Sequence, residues 1–241
     1  MSSSGLKLAI RYALPPCRLG FCGPHDDPNR QTLYKFVSGG NVSPSKVRGV
    51  LERFEAMHPY LSLIASCNRI SDSFDERVVR ALWVGNKLLE AVNADDLKEL
   101  ILTDFVKPAL LSKEEAKKRA SMVVEGMVPH HSFHVFVLGS ITGRVDLGGA
   151  LKELCRIGWG EVIEVRDSKL KVKSKLLIMD GKMRLGKEVE REMKWDASLA
   201  PDIAEGDWVS FHWGRICDRL DKDEASSLEH YTLRTFNALS K

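Results

Sequence analysis

The sequence predicts an α+β protein with an N-terminal all-helical domain, then a small antiparallel β-barrel, and a C-terminal helix. Apolar residues recur at helical spacing between residues 31 and 128. After residue 150 the pattern changes to short alternating segments with tight turns, and a capped amphipathic segment comes last. This change divides the chain into a helical domain with Cys/His-rich loops over residues 1–150 and a barrel with its terminal helix over residues 151–241.

The composition is that of an ordinary globular protein. Of 241 residues, 44% are hydrophobic and 29% are charged, and the net charge of +3 is too small to indicate nucleic-acid binding by itself. No run approaches the roughly 18 apolar residues of a membrane span, and the first residues lack the apolar core of a signal peptide. We therefore expect a cytoplasmic protein without a membrane partner, whose five cysteines are reduced thiols.

Four segments between residues 31 and 128 carry signals for the start of a helix. Each signal precedes apolar residues at helical spacing, and these signals are Ser43 before Pro44, Asp75, Asn93 and Ser112. The last of these helices is expected to reach about Met127. We interpret the apolar stripes as core rather than as a cofactor site.

Residues 1–30 contain the first candidate ligands. Proline and glycine are dense in this segment, which predicts irregular structure. Cys17 and Cys22 lie within it, but four intervening residues do not match the tight Cys-x2-Cys spacing of zinc knuckles. A metal-binding loop and a surface loop with inert thiols both remain open.

Three histidines lie within five residues at the end of the helical part. They are His130, His131 and His134, in a chain with seven histidines. Neutral imidazole is a common ligand of transition metals, so the segment is a candidate metal site, which Cys22 could share if the two segments converge. We expect a strand from Ser132 onward. The alternative is a helix end at which imidazoles lie favourably near the helix dipole.

The short segments after residue 150 predict hairpins. Residues 160–165 and 169–173 flank one turn. Residues 176–179 and 183–185 flank Asp180-Gly181, and Asp-Gly is a strong hairpin signal. Short strands joined by close turns are typical of a small antiparallel barrel.

The last predicted strands carry a histidine. Strict alternation predicts a half-buried strand, with Val209 and Phe211 on one face and Ser210 and His212 on the other. Gly214 marks a bend before a second short strand. Asp221 with Glu224 three residues later matches a capping box, which predicts the start of the terminal helix.

Two blocks of this second half resemble hydrogenase maturation chaperones of the HypC/HupF type. The block CRIGWGEV, residues 155–162, is similar to the family's opening Cys-x-Ala-Ile-Pro-Gly-Lys-Val. Residues 206–225 follow, without a gap, its later motif Gly-Asp-Tyr-Val-x-Val-His-x-Gly-x-Ala-Ile-x-x-Leu-Asp-x-x-Glu-Ala, and His212 falls on the family's histidine. The resemblance implies a small chaperone in which Cys155 and His212 handle an iron that carries cyanide and carbonyl ligands. Its implied partners are the hydrogenase large subunit and another maturation protein.

This chain departs from that family in several respects. The family's cysteine lies at the extreme N-terminus, whereas Cys155 is internal and follows a helical domain. Trp159 replaces the family's proline, and Trp213 adds bulk beside the histidine. The whole chain also resembles an uncharacterised bacterial and archaeal family that shares the blocks LGFCGP, HHSFH, CRIGWG and VSFHWGRICDRL. That second resemblance marks the blocks as candidate sites and implies no activity.

Three hypotheses follow. In the first, a metal-handling assembly protein uses Cys155 and His212, because a thiolate is a soft ligand suited to iron and a nearby imidazole lowers its pKa or binds as well. In the second, a metal-dependent enzyme uses His130, His131 and His134 with Cys17 or Cys22. Whether any reaction is catalysed stays open, as does the possibility that Cys155 is only a small core residue.

The third hypothesis is a nucleic-acid-binding barrel. Small barrels often bind oligonucleotides. Its support in this chain is a row of lysines at alternate positions, namely Lys169, Lys171, Lys173 and Lys175. A solvated strand face explains the same row, so we do not expect nucleic acid as a partner.

Overall fold

The structure is a computed structural model that describes residues 3–107 and 110–240. Residues 1, 2, 108, 109 and 241 of the predicted domain ranges lie outside this description. The helices are α1 (Ser3–Arg18), α2 (Asp27–Val37), α3 (Pro44–Leu51), α4 (Met57–Cys67), α5 (Glu76–Trp83), a 3₁₀ turn (Lys87–Ala91), α6 (Ala94–Thr103), α7 (Lys113–Ala120), α8 (His131–Phe133) with a π-helical turn (His134–Leu138), α9 (Ala150–Cys155) and α10 (Lys222–Leu239).

Five strands form a sheet that closes into a ring. They are β1 (Gly158–Arg166), β2 (Lys169–Asp180), β3 (Lys182–Lys194), β4 (Trp208–His212) and β5 (Arg215–Leu220). The order around the ring is β1–β2–β3–β5–β4, and antiparallel pairing of β1 with β4 closes it. The described residues before β1 form helices and no strand. The predicted α+β class and the C-terminal helix are therefore confirmed.

Most predicted caps and turns are present. Ser43 caps α3, and Asn93 with Asp96 forms a capping box on α6. Asp221 with Glu224 forms the predicted box on α10. Ser112 caps α7, but that helix ends at Ala120 instead of near Met127. Both predicted hairpins form, β1 with β2 and β2 with β3. None of the described helices is long and apolar enough to cross a membrane.

Helix α1 occupies the segment for which irregular structure was predicted. That prediction was wrong for residues 3–18, because Leu6, Ile10 and Leu14 repeat at helical spacing and are buried, whereas residues 19–26 are irregular as predicted. The two prolines, Pro15 and Pro16, fall in the last turn of the helix. Helix α1 packs against α2, α3 and α5 on one side and against β4 and β5 on the other. It therefore links the helices to the ring of strands.

Strand β4 is buried on both faces, whereas the alternation predicted a half-buried strand. Val209 and Phe211 point into the ring, where they pack with Val162, Leu170, Val172, Met193 and Ile216. The opposite face carries Ser210 and His212, and α1 covers it. The residue pattern was correct, but it could not reveal a helix packed on the polar face.

The largest buried cluster extends across residue 150. It joins residues of α1, α4, α5 and α6 with Ile157, Trp159, Cys217 and Leu220 from the second half of the chain. The ring also has an interior cluster of its own. The division into two domains stays a prediction.

Candidate metal centre

The histidine segment is helical, which corrects the strand predicted from Ser132 onward. His130 precedes α8, and its Nδ1 accepts a hydrogen bond from the backbone N–H of Ser132 (3.3 Å). The chain then widens into a π-helical turn that is entirely buried. His131 and His134 lie three residues apart on one helical face, with ring centroids 5.8 Å apart. Such π-helical turns often occur at functional sites.

Cys155 is the last residue of α9 and lies three residues before β1. Arg156, next to it, is 2% exposed. Its guanidinium donates two hydrogen bonds to Glu153 (2.7 and 3.1 Å) and one to the carbonyl of Lys175 (2.7 Å). This paired cation fixes the turn from α9 into β1, and with it the position of the Cys155 thiol.

His212 is the last residue of β4 and is held there by a tight hairpin. Trp213 and Gly214 both have positive φ, 51° and 70°, and His212 pairs with Arg215 across the turn. Two central residues of positive φ define the twisted two-residue turn that suits a hairpin. Such a φ is unfavourable for a bulky residue such as tryptophan. The backbone N–H of Trp213 donates to the carbonyl of Leu154 (2.9 Å), which ties this turn to the end of α9.

These elements bring His131, Cys155 and His212 together. One ligand atom from each lies within 4.8 Å of the other two. The three side chains belong to buried residues that are 7%, 6% and 1% exposed. The group combines the cysteine and histidine of the second half of the chain with a histidine of the first half.

Backbone hydrogen bonds fix which nitrogen of each imidazole is free. The Nδ1–H of His212 donates to the carbonyl of Tyr12 (2.8 Å). The Nε2–H of His131 donates to the carbonyl of Cys155 (3.0 Å). A carbonyl oxygen only accepts, so in each neutral ring the lone pair lies on the other nitrogen, Nε2 of His212 and Nδ1 of His131. Metal-binding histidines are normally oriented by such a bond from the opposite nitrogen.

Burial sets the protonation states of the three groups. It lowers the pKa of His212 to about 4 and that of His131 well below its ordinary value. It raises the pKa of the Cys155 thiol well above its usual range, a shift that nearby Cys22 increases and the Trp213 side chain opposes. Near neutral pH the imidazoles are therefore neutral and able to bind a cation. The thiol keeps its proton until a cation displaces it.

A cavity of about 50 Å³ adjoins the group. Among the residues that line it are His131, Cys155 and His212, together with His134 and Cys22. The loop after α1 and the segment that follows the π-helical turn enclose it, and both are anchored. The Thr142 hydroxyl donates to the Phe21 carbonyl (3.1 Å), and Arg144 forms an ion pair with Glu55 (2.6 Å).

Of the seven residues predicted as ligands, five line this cavity. The other two lie elsewhere. The Cys17 thiol donates to the Pro24 carbonyl (3.5 Å), and His130 caps the short helix α8. Cys22 and His134 share the cavity but do not belong to the three-residue group.

The fold brings together residues that the sequence had assigned to two different candidate sites. Cys155 and His212 belonged to one hypothesis, and the segment from His130 to His134 belonged to another. Trp83 was predicted only as a core residue. Its ring centroid lies 4.6 Å from that of His131 and 5.8 Å from that of His212. The apolar spacing of α5 correctly buries Trp83, but no pattern in one sequence indicates what its indole contacts.

Comparison with known proteins gives a family and no activity. No curated protein and no solved structure shows a significant match to the chain. The family described as "Family of unknown function (DUF6390)" matches residues 1–241. The protein whose halves jointly build this Cys–His₂ group therefore belongs to that family along its whole length.

Proposed function

We propose that this protein binds one divalent transition-metal ion through His131 Nδ1, Cys155 Sγ and His212 Nε2. The observation that supports the proposal best is that one ligand atom of each residue lies within 4.8 Å of the other two, while hydrogen bonds to backbone carbonyls leave one nitrogen of each neutral imidazole free. Histidines that serve only as core residues do not need a ligand atom close to a thiol and to a second imidazole. A buried nitrogen without a partner is also costly, and Nε2 of His212 has none among the described residues.

The donor set narrows the choice of ion. One thiolate and two imidazoles suit iron(II), cobalt(II) and zinc, whereas calcium and magnesium prefer oxygen ligands. Structural zinc sites normally use four protein ligands, and three protein ligands with a free position are typical of reactive centres. The site therefore supports a resident metal centre that meets a small molecule, in an enzyme or in a metal-handling protein.

The resemblance to HypC-type chaperones supplies a finer form of this proposal, with iron as the metal and hydrogenase assembly as the setting. It is favoured by the closeness of Cys155 and His212, which stand at the family's two motif positions. The ring of strands would correspond to the family's barrel. Because Cys155 is 6% exposed, transfer of iron to a client would require the loops over the cavity to open.

The lysine row on β2 gives little support to the nucleic-acid hypothesis. Every lysine of the row on β2 lies within 3.3 Å of a carboxylate, the pairs being Lys169 with Glu192, Lys171 with Glu164, Lys173 with Glu188 and Lys175 with Glu229. A strand face with paired charges offers phosphates little attraction. We therefore do not propose nucleic acid as a partner.

Cobalt(II) titration under anaerobic conditions tests the metal site. We expect one equivalent to bind and to produce the charge-transfer absorption of a cobalt–thiolate bond, because Cys155 is the one sulfur in the group. Cys155→Ala should abolish that absorption. Cys217→Ala is the matched control, since Cys217 is also buried and lies outside the group. Equal absorption in Cys155→Ala and wild type would exclude this site.

A second experiment tests the hydrogenase setting separately. The full chain, loaded with iron(II) under anaerobic conditions, is mixed with purified hydrogenase large subunit and with candidate maturation proteins. Capture that depends on both Cys155 and His212 would support the assembly role. A protein that binds metal but captures neither kind of partner would leave the metal centre standing and exclude this setting.

A further inference from the structure

Buried polar atoms without partners are concentrated in the cavity beside the three ligands. Among the described residues, five such atoms lie on residues that line the cavity but do not belong to the ligand group: Tyr60 Oη, Trp83 Nε1, His134 Nδ1, Ser140 Oγ and Trp213 Nε1. Buried polar atoms are normally hydrogen-bonded, and each exception requires an explanation. The concentration of several in one cavity points to a polar molecule bound there.

The volume of the cavity limits the size of that molecule. It measures about 50 Å³, and one water molecule needs roughly 10 to 15 Å³ on the same measure. The space therefore holds roughly three to five water-sized groups. With one of these positions taken by the ion, there is room for a molecule of about two to four non-hydrogen atoms. The apolar wall, which includes Leu82, Ile141 and Leu147, excludes a larger one.

The charges favour an anion. A divalent ion bound by the Cys155 thiolate and two neutral imidazoles carries one net positive charge. Glu55, which also lines the cavity, is neutralised by Arg144 at 2.6 Å. A buried net charge is costly unless it is paired, and a single negative charge on the bound molecule would balance it.

The unpartnered groups fit such an anion. An indole N–H can only donate, and the hydroxyls of Tyr60 and Ser140 can donate as well. We propose that the cavity binds a small monoanion of about two to four non-hydrogen atoms on the open position of the metal, with hydrogen bonds from Tyr60, Trp83 and Ser140. This inference rests on the proposed metal site and names the class of molecule that the site accepts.

Azide and formate are the probes, each with three non-hydrogen atoms and one negative charge. They are titrated into the cobalt-loaded protein while the cobalt absorption bands are followed. We expect both anions to shift the bands with saturation at one equivalent, and benzoate to leave the bands unchanged because the cavity is too small for a ring.

Conservative variants test the hydrogen bonds. Tyr60→Phe and Ser140→Ala each remove one hydroxyl and should weaken azide binding about tenfold, the effect of a hydrogen bond to a charged group. Ser174→Ala is the matched control, because the Ser174 hydroxyl is also buried and unpartnered but lies outside the cavity. It should leave the affinity for azide unchanged.

The outcomes separate the two proposals. A cobalt–thiolate absorption that does not respond to azide or formate would overturn the anion site alone. Absence of that absorption would overturn the metal site and the anion site together. A band shift by benzoate, or equal weakening in Ser174→Ala, would show that the anion does not bind in this cavity.

Discussion

His212 shows how much a single residue depends on an atom that no sequence motif describes. Its proposed role as a ligand rests on the carbonyl of Tyr12, which accepts from Nδ1 and so leaves the lone pair on Nε2. The strand pattern predicted which face His212 occupies, and the resemblance singled out the residue. Neither indicated that a helix near the start of the chain would fix its tautomer.

The Cys155 proton gives a prediction for metal affinity. Burial holds the pKa of this thiol above its ordinary value and that of His212 near 4. Over about pH 6 to 8, binding should therefore displace one proton, and affinity should rise about tenfold for each pH unit. Isothermal titration of zinc in buffers of different ionisation enthalpy measures both quantities. Cys217→Ala should keep the same slope, and an affinity independent of pH would show that the thiol does not bind the ion.

Among the secondary-structure elements, sequence signals correctly predicted the features that depend on neighbouring residues, namely helix caps and a hairpin turn. The caps at Ser43, Asn93 and Asp221 and the turn at Gly181 depend on atoms a few residues apart, and each is present. The histidine segment was assigned wrongly because alternation over five residues cannot distinguish a strand from a buried helix. Its π-helical turn is buried on every side, so its residues show no polar face.

Close packing of two helices gives a prediction at this scale. Helix α1 approaches α5 at Gly5, where an added Cβ would lie 1.9 Å from the backbone oxygen of Phe74. A backbone atom cannot rotate away, so Gly5→Ala should lower the free energy of unfolding by about 3 kcal/mol. Chemical denaturation measures the change.

Gly49→Ala provides the matched control. Gly49 is also helical, but it is exposed and a Cβ there meets nothing within 4 Å. Alanine has the higher helix propensity, so this variant should gain about 0.5 to 1 kcal/mol. Similar losses in both variants would show that the close approach of α1 to Phe74 is not the cause.

The site itself belongs to the scale of the whole molecule. Cys22, His131, Cys155 and His212 come from four separate segments, and their meeting depends on how the helices pack on the ring. Each segment was recognised from its own composition. Their convergence could not be derived, because nothing local to a segment records which other segment it will contact.

Metal removal tests the site at this scale. An ion that binds the folded protein alone stabilises it, by about 2.7 kcal/mol when the free ion is at 100 times its dissociation constant. For a chain of this size we expect the melting temperature to rise by about 5 to 10 °C and to fall again when a chelator is added. Cys155→Ala should show neither change. A melting temperature unaffected by any of the candidate ions would contradict a resident centre.

Tyr12 contacts β4 at two points, through its carbonyl to His212 and through its hydroxyl to Ser210 (2.7 Å). The partners are 200 and 198 positions apart in the chain. During translation the ribosome makes α1 long before β4, so the nascent chain has no finished ligand set for most of its synthesis. For the proposed metal site, the consequence is that an incomplete chain lacks His212, so loading would follow release of the second half from the ribosome.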